Sequence, residues 1–268
     1  WVERINSGAH CRISDVAKIR VGIKTTADSV FVRSDWGSLS PTAPPEPELL
    51  FPLLSADDAS AWRCARTSAE LRRILYTHEI RDGKRSVIDL GKYPHARAYL
   101  ESHRERLEAR RYVIEAGRAW YEIWVPQDPA AWRERKVVFP DISPTPKFFF
   151  DDDGRMVDGN CYWITLHPGV DDRMLYLIMA VANSEVMTRY HDLAFQNKLY
   201  SGRRRYLTQY VDRYPLPRPD SHESKKIIDI AADLTRGSAT ASERIAAEKE
   251  IDALVASVYG VEPTTVST

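Results

Sequence analysis

Cysteine is scarce in this chain, and long apolar runs are absent. The three cysteines, Cys11, Cys64 and Cys161, are too few and too far apart for a Cys-x-x-Cys metal pair or an even disulfide framework. We therefore expect a reducing, cytoplasmic environment. The longest uninterrupted apolar run, residues 174–182, has nine residues, about half of the ~18–20 that a membrane-spanning helix needs. The sequence predicts a soluble protein.

Motifs of catalysis are missing as well. No two of the 12 glycines form a Gly-x-Gly pair, so the chain lacks the glycine-rich strand-to-helix loop that binds phosphates or nucleotide cofactors. No Asn-Pro-Pro-aromatic tetrapeptide occurs, and the histidines never have the i,i+4 or Cys-flanked spacing of zinc ligands. We expect no catalytic residue, metal site or cofactor in this chain.

A nuclease centre is the enzymatic alternative. Pro140-Asp141 can supply one carboxylate for Mg²⁺, but an acid-x-Lys triplet must then follow. The nearest candidate, Gln196-Asn197-Lys198, has an amide in place of the second carboxylate. The sequence therefore favours a proline-ended strand at Asp141.

Charge is balanced over the whole chain but not along it. Lysine and arginine total 38, and so do aspartate and glutamate. Residues 198–218 hold six cations and one acid, a net charge of +5, whereas residues 219–268 hold five cations and nine acids, a net charge of −4. The sequence therefore predicts a local basic surface and an acidic C-terminal part.

Apolar alternation and turn residues predict a mixed α/β fold. Strands are predicted at 16–21, 30–32, 136–139, 147–150 and 161–166, the last two as a hairpin across Asp153-Gly154. Helices are predicted at 95–115, at 171–182 and, capped by Ser184, up to Lys198. Beyond the proline-rich 215–219, two amphipathic helices are split by Gly237. We divide the chain into a twisted, β-rich domain with helices at 1–219 and a C-terminal helical appendage at 220–268.

The segment from Lys198 to Tyr206, Lys-Leu-Tyr-Ser-Gly-Arg-Arg-Arg-Tyr, is the main functional signal. Arginine can bond bidentately to guanine O6 and N7, glycine allows close backbone approach, and aromatic rings can stack. The same composition also suits a solvated loop, so the segment alone leaves both interpretations open.

The order of several segments adds a resemblance. They are residues 21–31, Phe51-Pro52-Leu53-Leu54, Tyr93-Pro94, Trp120-Tyr121-Glu122, 136–143, 148–161, the apolar helix ending at Ser184, Tyr214-Pro215-Leu216-Pro217, and 250–260. In this order the chain resembles the TaqI-like C-terminal specificity domains of type II adenine-N6 DNA methyltransferases and of single-chain restriction–modification enzymes. Thr26 stands where that family has Gly, and Asp28 where it has Asn.

The resemblance implies a target-recognition domain that grips double-stranded DNA. A catalytic domain earlier in the same polypeptide would bind S-adenosylmethionine and flip the target adenine, and the start at Trp1, without an initiator Met, fits a longer polypeptide. The expected DNA contacts are Lys24, Thr25, Thr26, Lys147, Lys198, Tyr200, Arg203, Arg204, Arg205 and Tyr206, with Trp120 as a further groove contact. The alternative is a specificity-subunit-like module that binds DNA and a partner subunit in trans.

Overall fold

The structure, a computed structural model, describes residues 1–39 and 43–262. Its strands are β1 (Cys11–Arg12), β2 (Ala17–Val21), β3 (Val32–Arg33), β4 (Leu50–Leu54), β5 (Trp62–Arg63), β6 (Arg73–Leu75), β7 (His78–Arg81), β8 (Lys84–Val87), β9 (Lys136–Pro140), β10 (Ile142–Ser143), β11 (Phe149–Asp151), β12 (Met156–Val157), β13 (Cys161–Leu166), β14 (Arg204–Arg205) and β15 (Pro215–Leu216).

The α-helices are α1 (Val2–Ser7), α2 (Ile13–Val16), α3 (Asp28–Phe31), α4 (Pro94–Ser102), α5 (Arg104–Glu108), α6 (Arg111–Glu115), α7 (Met174–Asn183), α8 (Glu185–Phe195), α9 (Thr208–Val211), α10 (His222–Arg236) and α11 (Ala241–Tyr259). Short 3-10 turns occur at Pro47–Leu49, Ala56–Asp58, Leu90–Lys92, Ala131–Arg133 and Tyr200–Gly202. The mixed α/β fold predicted from the sequence is confirmed.

A five-stranded sheet organises the fold, in the order β2-β13-β9-β11-β5. Its neighbouring strands are antiparallel, except that β11 and β5 are parallel. All residues of β9 are buried, as expected for a β-branched and aromatic strand that is covered on both faces. β9 is therefore the central strand from which the chain leaves toward the candidate site.

The predicted hairpin of 147–150 with 161–166 is wrong. β11 and β13 lie on opposite sides of β9 and both pair with it. The connection between them contains β12, whose Met156 and Val157 pair with Leu53 and Leu54 of β4 in a second sheet, ordered β12-β4-β6-β3. Because the connection has to reach this second sheet, it cannot fold straight back as a hairpin.

Two apolar cores cover the two faces of the central sheet. Along β9, Val137 and Phe139 belong to one core and Val138 to the other, because successive strand side chains point to opposite faces. Helices α7, α8, α10 and α11 complete the first core, and β4, β6 and α4 contribute to the second. The sheet is thus supported from both sides.

The helical predictions after residue 170 are confirmed. The Ser184 hydroxyl accepts a hydrogen bond of 3.1 Å from the Met187 amide and caps α8. Gly237 ends α10 in a left-handed conformation, with φ +71°, which glycine adopts without steric cost. α10 packs against α7, and α11 packs against α8 and α10.

Two earlier segments differ from prediction. The single helix expected at 95–115 is three short helices, with breaks at His103 and Arg110. At the second break the buried Arg110 donates hydrogen bonds to the carbonyls of Thr25, Trp120 and Glu122. The strand expected at 30–32 is largely replaced by α3. None of the helices within the described ranges combines the length and the apolarity needed to cross a bilayer.

Candidate nucleic-acid interface

Three strands of the central sheet end at the same level. Val21, the last residue of β2, lies opposite Tyr162 of β13, and Pro140, the last residue of β9, lies opposite Cys161. The chain therefore leaves β2 at Gly22 and β9 at Asp141 on one end of the sheet. Because one strand separates β2 from β9, the two exits lie about 10 Å apart.

Two further predicted segments reach this end. β11 runs antiparallel to β9, with Phe149 opposite Val138. Lys147, two residues before β11, therefore lies at the same end of the sheet as Pro140. β10 begins one residue after Asp141 and pairs with β14. The basic segment, which contains β14, is therefore held at this end of the sheet. We call the region formed by residues 22–27, 141–147, 158–162 and 197–206 the basic sheet end. The structure thus brings to one end predicted contacts as distant in the sequence as Lys24 and Arg205, which are 181 residues apart.

The loop after β2 is held by backbone contacts. The Ile23 amide donates to the Val157 carbonyl at 2.7 Å, and Lys24 exchanges backbone hydrogen bonds of 3.0 and 2.9 Å with Val125. Thr26 has φ +59°, a left-handed conformation that glycine adopts more easily. The side chains of Lys24 and Thr26 are exposed, so both are available for a ligand.

Thr25 has a different role from the one expected. Its side chain is buried; its hydroxyl donates to the carboxylate of Asp28 and accepts from the Ala27 amide at 3.0 Å. The Thr25 carbonyl accepts from Arg110 at 3.0 Å. Thr25 therefore orders the loop from inside, and its side chain does not reach the surface.

The three consecutive arginines have three different environments. Arg203 is exposed, and within residues 1–39 and 43–262 no carboxylate pairs with its guanidinium. Arg204 makes bidentate hydrogen bonds of 2.6 and 2.7 Å to Asp192 and a third of 2.7 Å to the Pro144 carbonyl. Arg205 donates one hydrogen bond of 2.9 Å to Asp141 and remains 43% exposed. Arg204 is thus a structural tie, whereas Arg203 and Arg205 face solvent.

Both acidic side chains of the basic sheet end, Asp141 and Asp158, lie next to an arginine. Asp141 is paired with Arg205, and the charge-assisted bond raises the pKa of the Arg205 guanidinium. Burial raises the pKa of Asp158, and Arg72 lies 3.5 Å from its carboxylate. Because these carboxylates are partnered, the outward charges at this end are those of exposed cations, Lys24, Lys198 and Arg203.

Of the aromatic residues predicted to contact DNA, Tyr206 is buried and Trp120 is half-buried. Tyr206 is 1% exposed and packs against Phe148 and His191, with ring centroids 5.7 and 5.0 Å apart. Its expected contact with DNA is therefore corrected, because the chain turns it into the first core immediately after Arg205. The side chain of Tyr200 lies outside the described residues. Trp120 is half-buried beneath Arg104, whose guanidinium carbon is 5.1 Å from the ring centroid, and Lys147 is also half-buried.

Sequence reasoning missed the residues that hold the basic segment. Asp192 fixes Arg204, and Asp141, considered only as a nuclease carboxylate, fixes Arg205. Asn197 donates to the Arg205 carbonyl at 2.7 Å, and the exposed Ile142 lies beside Arg205 across the β10–β14 pair. Asp141 is 64 residues from Arg205, so no local pattern could have connected them.

The fold is one found in a restriction–modification enzyme. The Type IIL restriction–modification enzyme MmeI, solved in complex with DNA, matches 96% of this chain with a TM-score of 0.63, and the match covers 34% of that protein. Sequence identity is 18%, so this likeness concerns the fold alone.

The sequence relatives are type II methyltransferases. M.BanIII of Aneurinibacillus aneurinilyticus is 49% identical over 262 residues, or 98% of this chain. M.PaeR7I of Pseudomonas aeruginosa is 28% identical over 205 residues, and M.XhoI of Xanthomonas vasicola is 26% identical over 200. The chain spans a little under half of M.BanIII, 45%, and about a third of the other two. No family model matches the chain.

Proposed function

We propose that this chain is the target-recognition part of a type II adenine-N6 DNA methyltransferase or a fused restriction–modification enzyme, of the TaqI-like kind. It reads double-stranded DNA, while an upstream catalytic domain of the same polypeptide binds S-adenosylmethionine and methylates adenine. The assembly works in the cytoplasm, and the 1–219 region carries the DNA contacts.

The observation that carries this proposal is the convergence of cations on one end of the sheet. The cations come from three separate segments, which reach the same end through β2, β11 and the β10–β14 pair. They are Lys24 in the first, Lys147 in the second, and Lys198, Arg203 and Arg205 in the third. Phosphate contacts from such cations position a protein on a duplex, and base contacts then specify the sequence. The fold shared with MmeI and the type II methyltransferase relatives support the same assignment.

A duplex titration at several salt concentrations tests the proposal. If Lys24, Lys147, Lys198 and Arg203 each neutralise one phosphate, log K should fall by about 3.6 per tenfold rise in salt, at ~0.9 per phosphate. Arg203→Ala should weaken binding to every duplex and reduce this slope by about 0.9. A chain that binds no duplex, or an Arg203→Ala variant with an unchanged slope, would contradict the proposal.

The matched control is Lys225→Ala. Lys225 is exposed but lies beside Val170 and Asp171, which follow β13 at its opposite end. The substitution removes a single positive charge, as Arg203→Ala does, but far from the basic sheet end. The duplex affinity should therefore equal that of the wild type within experimental error.

The second candidate function is a specificity-subunit-like module acting in trans. The observation that favours it is the acidic C-terminal part, which holds exposed carboxylates on α10 and α11. Co-purification with a separately encoded methyltransferase subunit identifies this alternative, whereas a catalytic domain on the same polypeptide supports the first candidate.

A further inference from the structure

The β10–β14 pair is a two-stranded ribbon with two unlike faces. Ile142 lies opposite Arg205, and Ser143 lies opposite Arg204; opposite residues of an antiparallel pair project from the same face. Ile142 and the Arg205 side chain are 41% and 43% exposed, whereas Ser143 and the Arg204 side chain are 2% and 13% exposed. One face is therefore anchored in the protein and the other faces outward.

The anchored face fixes the ribbon rigidly. Arg204 reaches Asp192 on α8 with two hydrogen bonds and the Pro144 carbonyl with a third. The Tyr206 amide donates to the Asp141 carbonyl at 2.7 Å, and Asn197 holds the Arg205 carbonyl. The bonds to Asp192 and Asn197 attach the ribbon to α8 and to the segment that follows it, and the Tyr206–Asp141 bond extends the β10–β14 ladder, so the outward face keeps a defined orientation.

On the outward face, Asp141 restrains Arg205 without using up its donors. Only Nη2 of Arg205 donates to Asp141, and Nη1 makes no hydrogen bond to any residue that the structure describes. Arginine has five N–H donors in a planar fork. The remaining terminal donors can therefore meet the O6 and N7 acceptors of a guanine, the commonest base for bidentate arginine contacts.

Ile142 supplies an apolar contact next to this donor group. Single exposed isoleucines are ordinary on protein surfaces, but this one is directly opposite Arg205 on the same face. Paired Cβ atoms lie about 5 Å apart, comparable with the ~3.4 Å spacing of successive bases on one strand. The apolar group that the major groove offers at such a position is the 5-methyl of thymine.

We infer that the β10–β14 ribbon enters the major groove, where Arg205, positioned by Asp141, reads a guanine and Ile142 packs against the methyl group of a neighbouring thymine. The inference rests on the proposed function, because it requires duplex binding. A two-stranded ribbon fits the ~12 Å width of the major groove. In this arrangement the flanking segments lie next to the DNA phosphates. Their exposed cations are Lys24, Lys198 and Arg203.

The inference is tested in two steps. Preferred duplexes are first selected from a randomised library, and single groups of the selected DNA are then changed. In the selected duplex, 7-deazaguanine in place of one guanine removes the N7 acceptor but keeps O6, and it should weaken binding by about 2- to 12-fold, half of the free energy of a bidentate pair. Uracil in place of the neighbouring thymine removes one methyl group and should weaken binding by about 4-fold.

Three variants assign these effects to residues. Arg205→Ala should still bind duplex but lose its sensitivity to 7-deazaguanine, and Ile142→Ala should lose only its sensitivity to uracil. Asp141→Asn should reduce the ratio of affinities for the selected and the unselected duplex, because Arg205 is no longer held in position, and Asp141→Glu should restore part of this ratio. A purely structural role of Asp141 would instead weaken binding to all duplexes equally.

The outcomes separate the two proposals. Failure to bind any duplex contradicts the proposed function. Duplex binding that shows no base preference contradicts both proposals, whereas an Arg205→Ala variant that keeps its full sensitivity to 7-deazaguanine at every guanine overturns this inference and leaves the proposed function intact. Arg203→Ala is the control, because it should weaken all duplexes by the same factor.

Discussion

At the scale of single residues, a run of like charges does not create a uniform charged surface. Arg204 and Arg205 are adjacent in β14, yet Asp192 and Pro144 hold the first and solvent surrounds much of the second. The cause is the twofold alternation of a strand, which directs successive side chains to opposite faces. Truncating Arg204 would therefore disturb the fold around Asp192, whereas truncating Arg203 removes charge alone.

His191 links the basic segment to the core and predicts a pH dependence of stability. Its Nδ1 lies 2.8 Å from the Tyr214 hydroxyl, and its ring packs against Tyr206 and Tyr210. Burial lowers the pKa of His191 to about 4, compared with ~6.5 in an unfolded chain. Since the unfolded state takes up the proton first, the stabilisation is present above pH 6.5 and is lost as the pH falls toward 4.

We expect His191 titration to reduce the free energy of unfolding by about 2 kcal/mol between pH 7 and pH 5. His191→Gln has no proton to gain there, while its amide oxygen can accept from Tyr214. Urea unfolding at both pH values should show a smaller loss for His191→Gln than for the wild type. Equal losses in the two proteins would contradict this prediction; His78, whose pKa burial also lowers to about 4, is common to both.

At the scale of elements, the loop after β2 depends on a close backbone approach at Gly22. A Cβ atom there would lie 2.0 Å from the Asp158 carbonyl oxygen and 2.6 Å from that of Val157. Both are backbone atoms of paired segments, so neither can move aside cheaply. The glycine thus sets the position from which Lys24 leaves the sheet.

Gly22→Ala should therefore lower both stability and duplex affinity. We expect an unfolding free energy reduced by about 1–3 kcal/mol from overpacking, measured in urea, and weaker binding because Lys24 is displaced. Gly37→Ala is the control, since among the residues that the structure describes its added Cβ would meet only the Asp35 carboxylate oxygen, at 3.5 Å. A Gly22→Ala protein with wild-type stability would show that the loop is not held as described.

At the scale of the whole molecule, the C-terminal helices share a core with the central sheet. Ile227 of α10 and Ile251 of α11 are buried in the same cluster as Val137 and Phe139 of β9. The Trp62 indole of β5 donates to Glu248 of α11 at 2.8 Å. A substitution that destabilises these helices should therefore also destabilise the sheet that carries the basic sheet end.

Ile251→Ala should destabilise the entire chain. Ile251 is 1% exposed, and removing such a side chain costs about 2–5 kcal/mol. We expect one unfolding transition, shifted to lower urea, by both tryptophan fluorescence and circular dichroism. Ile245→Ala on the same helix is the control, because Ile245 is 50% exposed and its loss should change stability by less than about 0.5 kcal/mol. Two separate transitions, only one of them shifted, would instead make 220–268 an independent unit.

Local chemistry made several elements predictable. The cap at Ser184, the glycine that ends α10, and the buried positions Ile227, Ala231 and Leu234 follow from interactions within one or two helical turns. The break at Arg110 was not predictable, because its partners Thr25, Trp120 and Glu122 lie elsewhere in the sequence. The predicted hairpin is wrong for the same reason, since β9, which comes earlier in the sequence, lies between the two strands and pairs with both.

By itself, the sequence determined the mixed α/β class, the positions of the major helices and the existence of a basic segment, because propensity, periodicity and charge are properties of neighbouring residues. Only the tertiary structure decided which cations meet and which are neutralised. Strand pairing places Lys24, Lys147 and Arg205 on one sheet end and brings Asp141 to Arg205, and the packing of α8 brings Asp192 to Arg204. Those contacts join residues far apart in the chain, and packing of the whole molecule selects them.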